Sequence, residues 1–277
     1  MNGKKIWKQF CKKKTAIFFL VLLSIVITAI ILAPVIAPND IYKQDLLNKF
    51  ASPSKEYPLG TDELGRCILS RILYGGRATL GYAFLSTMIS AILGTSIGMI
   101  AGYFGGKIDN IIMRICDIMY AFPSLIFTLV IVAVLGSGMN KILIAMLFTQ
   151  WLYYARMSRG MTLDEKCHEY IQIARITGAS HAQIIFEYIL PNILPQLIAI
   201  TTIDFGHTIL SMAGLSFLGL GVQPPDPEWG MMINDGRNYL NRNPAIMLWP
   251  GLMVLIVVLA VNVIGDYLRD ALDDIRS

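Results

Sequence analysis

Asp204 and His207 are the residues of this chain best suited to chemistry. They lie in an otherwise apolar run, 196–218, spaced so that a helix puts both on one face, a turn apart. Carboxylate and imidazole together suit a divalent transition metal, and a charge inside an apolar helix is costly unless it faces a cavity or a partner. Two readings stand. The pair is a weak contact for a passing cation, or it is an interhelical hydrogen bond closing polar groups against each other or a neighbour. No other reactive side chains form a set. His168, His181 and His207 are dispersed, and HExxH, GxSxG and paired carboxylates in a polar setting are all missing, so no enzyme centre and no cofactor are expected. Cys11, Cys67, Cys116 and Cys167 lack metal-ligand or CxxC spacing and read as free thiols. Gly105-Gly106-Lys107-Ile108-Asp109 tempts as a phosphate loop, but the upstream glycines are misplaced and Ile108 stands where Ser or Thr is needed. The 14 methionines read as packing in apolar spans.

The elements that position these residues belong in a bilayer. The 277 residues are 55% hydrophobic and only 15% charged, with mean hydropathy +0.58, against about 25% charged in ordinary soluble domains. A net charge of +4 without an Arg-rich stripe or reader motif excludes a nucleic-acid partner. A basic stretch, 1–14, precedes an apolar run, 15–36, long enough to span a core of about 30 Å and too long for a signal peptide; its lysines place the N-terminus in the cytoplasm. A polar external segment follows, in which Thr61 or Asp62 is expected to cap a helix carrying Ile68, Leu69, Ile72 and Leu73 along the outer membrane face. Further spans are expected at 79–104, rich in small residues for close helix packing, at 111–135 with a break at Pro123, at 142–154, at 196–218 and at 245–264. Arg114 and Asp117 are spaced to pair with each other. Asp226–Gly230 starts an external helix, either a stiff interfacial element or part of an outer gate, and a short charged tail follows Ile264. The expected fold is all-α, with six transmembrane helices and both termini cytoplasmic.

The stretch 161–195 is the one sizeable polar interruption in the second half. It reads as two short helices separated by Gly178, where a left-handed backbone is cheap. Ser180 is placed to cap the second helix, which Pro191 is expected to stop. A helix–Gly–helix between two spans cannot face lipid, so it projects, and with apolar residues on show it is expected to dock into another protein.

Ala174, Gly178, Ala179, Ser180 and the Ile189-Leu190-Pro191-Asn192 ending resemble the "EAA" coupling loop of bacterial ABC-importer permeases. Gln172 occupies the position of that family's glutamate, and Ile173 that of the following alanine; Glu169, one turn earlier, is the nearest substitute. The stretch GTDELGR…SRILYGGRATLGY resembles the dipeptide, oligopeptide and nickel branch, with Cys67 in place of the usual aspartate. DFGHTILSMAGLSFLGLG resembles the nickel members, since peptide members carry small residues at the Asp204 and His207 positions.

The resemblance implies an ABC type I importer permease of the bacterial cytoplasmic membrane, working by alternating access. It implies a heterodimer with a second homologous permease, two cytoplasmic ATPase subunits and an extracytoplasmic solute-binding protein. Coupling to the ATPase would fall to Glu169, Gln172, Ala174, Gly178, Ala179, Ser180, Leu190 and Pro191, and cargo contact to Asp204 and His207. Residues 1–78 would form an anchor helix and external segment, and 79–277 the permease domain. Nickel or a related metal, free or chelated, is the expected cargo, with peptides as the alternative; a stand-alone ion-coupled carrier is the alternative of another class.

Overall fold

The computed structural model describes residues 13–276, the side chains of 273–276 excepted, so most of the basic N-terminal stretch lies outside the described residues. Helix α1, Lys14–Ile31, is apolar on nearly every face and buries only Ala16 and Ile30, as a helix facing lipid should. A short helix α2, Ala33–Ile36, follows, with a proline in its first turn.

The next segment is tied together by Thr61 and Asp62. Thr61 Oγ1 donates to Asn48 O at 2.5 Å and accepts from Ala51 N at 2.8 Å. Asp62 Oδ1 accepts from the amides of Leu64 and Arg66, and Oδ2 holds Arg66 Nε at 2.6 Å. Neither residue caps a helix, contrary to expectation. Their oxygens are engaged in the loop, and helix α3 starts after Cys67 without a side-chain cap.

Helix α3 runs from Ile68 to Phe104, 37 residues without interruption. The helix expected along the membrane face is therefore the first part of the second span. Gly75 and Gly76 do not break it, because they serve close approach: a Cβ on Gly75 would lie 3.3 Å from Glu228 N, and one on Gly76 would lie 2.7 Å from the Trp229 ring. Further along, Gly94, Gly98 and Gly102 form the seam expected of small residues. Added Cβ atoms there would run into Trp151, Ala155, Ser158 and Arg159 of helix α6, Met139–Lys166.

Gly105 and Gly106, with φ of 67° and 57°, turn the chain into α4, Gly106–Tyr120. The break at Pro123 is present: α4 and α5, Ser124–Leu135, meet at 82°. Asp117 pairs with Arg156 of α6 at 2.5 Å and not with Arg114. The Arg156 guanidinium lies 4.1 Å from the Tyr120 ring centroid, so α6 supplies both an ion pair and a cation–π contact that a neighbour on α4 does not. Arg159 grips Asp109 through Nε at 2.5 Å and a second nitrogen at 2.6 Å.

After α6 come α7, Glu169–Ile176, a short α8, His181–Gln183, a π-helical turn, Ile184–Ile189, and α9, Leu190–Phe217. Helix α10 is Trp229–Arg237, and α11, Ala245–Arg276, absorbs the charged tail into its last turns. Glu228 is fully buried ahead of α10. Its carboxylate accepts from Gly230 N, Met231 N and Thr79 Oγ1, each at 2.9 Å. Trp229, also fully buried, donates Nε1–H to Ile72 O at 2.9 Å.

Four helices among the described residues are long and apolar enough to cross a membrane, five if the bent α4–α5 pair is one span. The count of six is not reached by that measure, since α6, though 28 residues long, carries Lys141, Gln150, Arg156 and Arg159.

At the Asp62 end, burial and the neighbouring Asp62 charge raise the Glu63 carboxyl above its ordinary range, against the opposing pull of Arg66. Burial raises Asp235 likewise. Glu63 Oε1 accepts from Arg66 at 2.9 Å, while Oε2 is buried without a partner. A carboxyl raised in the fold stabilises it fully below the unfolded value of about 4.3, and that contribution is lost as pH rises through the folded value. Amide exchange across 45–66, corrected for intrinsic rates, should accelerate over that rise, and Glu63→Gln should flatten the response. A flat profile in the unsubstituted chain would refute this.

Candidate coupling segment and polar belt

Helix α7 ends in a left-handed glycine. Gly178 has φ 92°, its N–H donates to Arg175 O at 3.2 Å, and Ala179 N–H reaches back to Ala174 O at 2.9 Å. This is the paired bonding that closes a helix C-terminus around glycine. Ser180 then caps the next helix as expected: its Oγ accepts from Gln183 N at 3.2 Å while the Gln183 side chain accepts from Ser180 N at 2.9 Å.

Pro191 does not stop this helix. His181–Phe217 is continuous over 37 residues. The wider ladder of the π turn at 184–189 precedes the proline, where an α-helix would have lost a donor. The second helix of the loop and the fifth span are therefore one element.

One face of the segment is packed. Ile171 and Ala174 are buried, against a cluster of Ile184, Ile185, Ile189 and Ile193. The opposite face is bare: Ile173 is 60% and Ile176 85% exposed, with Glu169, Gln172 and Gly178 also exposed. A groove of about 520 Å³, lined by Leu163, Lys166, Gln172, Arg175 and Ile176, runs beside it. Leu190 is half-buried and Pro191 exposed, both on the continuous helix just after the π turn and not on α7.

Polar contacts that the sequence reading missed fasten the segment to the spans. The Tyr103 hydroxyl meets His181 Nδ1 at 2.7 Å, and Lys166 Nζ donates to Tyr103 O at 2.5 Å. Tyr170 donates to the Glu165 carboxylate and accepts from Asn192 Nδ2, the latter at 2.9 Å. The signal was present in the His and Tyr placed at the ends of apolar runs, though not in any spacing.

Asp204 and His207 do not close on each other. Asp204 Oδ2 accepts from the buried Tyr154 hydroxyl of α6 at 2.7 Å, while His207 is exposed. The interhelical alternative is thus realised for Asp204 alone. One turn on, Gln150 Nε2 donates to Thr208 Oγ1 at 2.8 Å, Gln150 Oε1 accepts from Ser86 at 2.8 Å, and Thr87 donates to Thr208 at 3.1 Å. This belt joins α3, α6 and α9. Among the described residues no three His, Cys, Asp or Glu side chains cluster as a metal site.

The family model described as "Binding-protein-dependent transport system inner membrane component" matches residues 94–274, and "N-terminal TM domain of oligopeptide transport permease C" matches 2–53. The dipeptide transport system permease protein DppC of Alkalihalophilus pseudofirmus is 41% identical over 98% of this chain and 89% of its own length. The glutathione transport system permease protein GsiD of Pectobacterium atrosepticum is 40% identical over 98% and 90%. The nickel transport system permease protein NikC of Escherichia coli is 40% identical over 85% of both chains. Among solved structures, the inward-facing MetNI methionine ABC transporter superposes with a TM-score of 0.61 at 20% identity, over 74% of this chain and 97% of its own, a likeness of fold. With its bundle of apolar helices, the chain belongs to the binding-protein-dependent inner-membrane components, and is a multi-pass, C-type permease subunit of an ABC importer.

Proposed function

We propose that this subunit forms half of a translocation path for nickel or a related transition metal, free or chelated, and that the segment 161–195 couples it to ATP hydrolysis. Its partners in this reading are a second homologous permease, two cytoplasmic ATPase subunits that carry out the hydrolysis, and an extracytoplasmic solute-binding protein. Both termini and the Gly178 end lie in the cytoplasm, and the Asp62 end faces outward. Residues 1–78 anchor and shape the outer side, and 79–277 form the permease domain.

The carrying observation is the bare face of α7. Ile173 and Ile176 are exposed on the face of α7 opposite the buried Ile171 and Ala174, and such apolar surface marks a docking site. Seated in an ATPase groove, the face takes up nucleotide-driven motion. Gly178 allows the sharp turn, Ala174 and Ala179 let α7 close on it, Ser180 fixes the start of the next helix, and Glu169 and Gln172 rim the contact. Leu190 and Pro191 lie where that helix passes into the span, which then rocks to admit cargo from one side and release it on the other.

Cargo choice rests on His207 and Asp204. His207 is exposed on α9, with Asp204 one turn earlier, a pair suited to brief metal contact that does not hinder release. The peptide reading is favoured by the Tyr154–Asp204 bond, which occupies one oxygen of the carboxylate. Asp204→Ala with His207→Ala should lower nickel accumulation severalfold at unchanged membrane abundance, measured as cell-associated metal. Accumulation at the unsubstituted level would remove the metal contact and leave the peptide reading.

A further inference from the structure

A second cavity lies at the opposite end from Gly178. It holds about 630 Å³ and is lined by Ile41 and Tyr42 together with residues of three further regions. Tyr74, Arg77 and Tyr82 come from the start of α3, Asn140 and Lys141 from the start of α6, and Asp226 from the loop before α10. The loops are fixed to one another, since Gly138 N donates to Leu220 O at 2.9 Å. Tyr42 donates to Asp226 Oδ1 at 2.6 Å, which holds that carboxylate in the wall.

The charges in this cavity are unbalanced. Arg77 lies over the Tyr74 ring at 5.9 Å, and no ion pair among the described residues involves either Arg77 or Lys141. Among the described residues four basic side chains do pair: Arg66, Arg156 and Arg159 each meet a carboxylate within 3 Å, and Arg71 meets Asp62 at 3.6 Å. Two cations from different helices therefore face one concavity whose single acid is already engaged by a tyrosine. Arg77 also borders the larger cleft between α1, α3, α9 and α11, about 980 Å³, but that cleft is otherwise lined by apolar and hydroxyl side chains and suits acyl chains, whereas Lys141, Asn140 and Asp226 line only the smaller cavity.

We infer that this cavity is an outer receiving site for a solute carrying a carboxylate, with Arg77 and Lys141 gripping the carboxylate and Asp226 facing any amine on the same molecule. The inference rests on the importer reading for its direction of transport, and it deepens that reading by assigning a chemical class to the cargo. The carboxylate has two sources, a small peptide or an organic chelate of a metal ion, and lipid phosphate is the competing occupant of exposed cations near a membrane surface. The amides of Asn140 and Gln223 and the acid of Asp226 beside the cations favour a solute of mixed charge over a phosphate headgroup.

The test uses the intact importer with its own partners and saturating binding protein. Uptake of dialanine is compared with dialanine amide, and uptake of nickel citrate with the hydrated nickel ion. Arg77→Gln and Lys141→Gln should each cut maximal uptake of the carboxylate-bearing member of one pair by about tenfold, the weight of a charge-assisted hydrogen bond. The blocked or bare member should change little, and Arg77→Lys should restore most of the loss. The pair that responds identifies the source. Equal losses for both members of the responding pair, or no loss in either pair, would overturn the inference. A second measurement is independent of energy coupling: Asn140→Cys is labelled with a membrane-impermeant thiol reagent, with and without each probe, in the absence of ATP. The carboxylate-bearing probe should slow labelling, and adding Arg77→Gln should abolish that protection. Protection that persists while uptake proves independent of ATP would sink the importer reading alone, whereas ATP-driven uptake without protection would sink the receiving site alone.

Discussion

Aspartate at both Ile173 and Ile176 is expected to abolish ATP-driven uptake while leaving the chain in the membrane. The two side chains lie three residues apart, 60% and 85% exposed, so the folded subunit loses nothing when they become polar. Docked, each isoleucine would be worth about 1.5–3 kcal/mol, and an unpaired carboxylate in its place adds a desolvation cost. A combined loss above about 3 kcal/mol weakens the contact by more than about a hundredfold. Uptake should fall to background, the ATPase subunits should no longer co-purify, and immunoblots should show normal abundance. Gly178→Val should act more mildly. No atom lies within 4 Å of the added Cβ, so its effect comes only from forcing a branched residue to φ 92°, about 1–3 kcal/mol. Full-rate transport by the double aspartate variant would end the coupling proposal.

The largest structural effect is expected at Gly98. A Cβ there runs into the Ala155 carbonyl and Ser158 Oγ, both on α6 and both closer than any ordinary contact. Ser158 is fully buried, its hydroxyl donating to Tyr154 O at 2.7 Å and lying 3.3 Å from Thr95 O. Gly98→Val must therefore push α3 and α6 apart along the seam that Gly94 and Gly102 also form. Overpacking alone costs about 1–3 kcal/mol, and here it meets backbone that cannot rotate away. Membrane abundance should collapse. Gly81→Val is the control on the same helix, because nothing lies within 4 Å of its Cβ, and it should accumulate normally. If both variants accumulate alike, close approach at Gly98 is not what holds the two helices together.

What could be read from the chain was local. Gly178, Ser180 and the break at Pro123 were legible because each acts within a few residues: a left-handed turn, a cap, a lost donor. Pro191 misled for the same reason, since its effect depends on the π turn before it. Thr61 and Asp62 read as caps, yet their oxygens turn to a loop packed against them. Pairings set by the bundle were out of reach. Asp117 takes Arg156, Asp204 takes Tyr154 and Tyr103 takes His181, each across 39 to 78 residues of sequence. Spacing on one helix cannot report a partner on another. The seam of small residues was legible as a tendency, but which glycines touch α6 and which, like Gly81, face open space was not.

The unbroken helix from His181 to Phe217 has a mechanical consequence. At 37 residues it is about 55 Å long, so a tilt of about 10° about Thr208 would move the His181 tip by about 7 Å and the Phe217 tip by about 2 Å the opposite way. In the alternating-access reading proposed above it would act as a see-saw pivoting where the Gln150–Thr208 belt ties it to its neighbours. A downstroke at Ser180 must become an upstroke beside Leu220, where the Gly138 loop is attached. Shutting one mouth and parting the other then become a single rotation of one rigid bar.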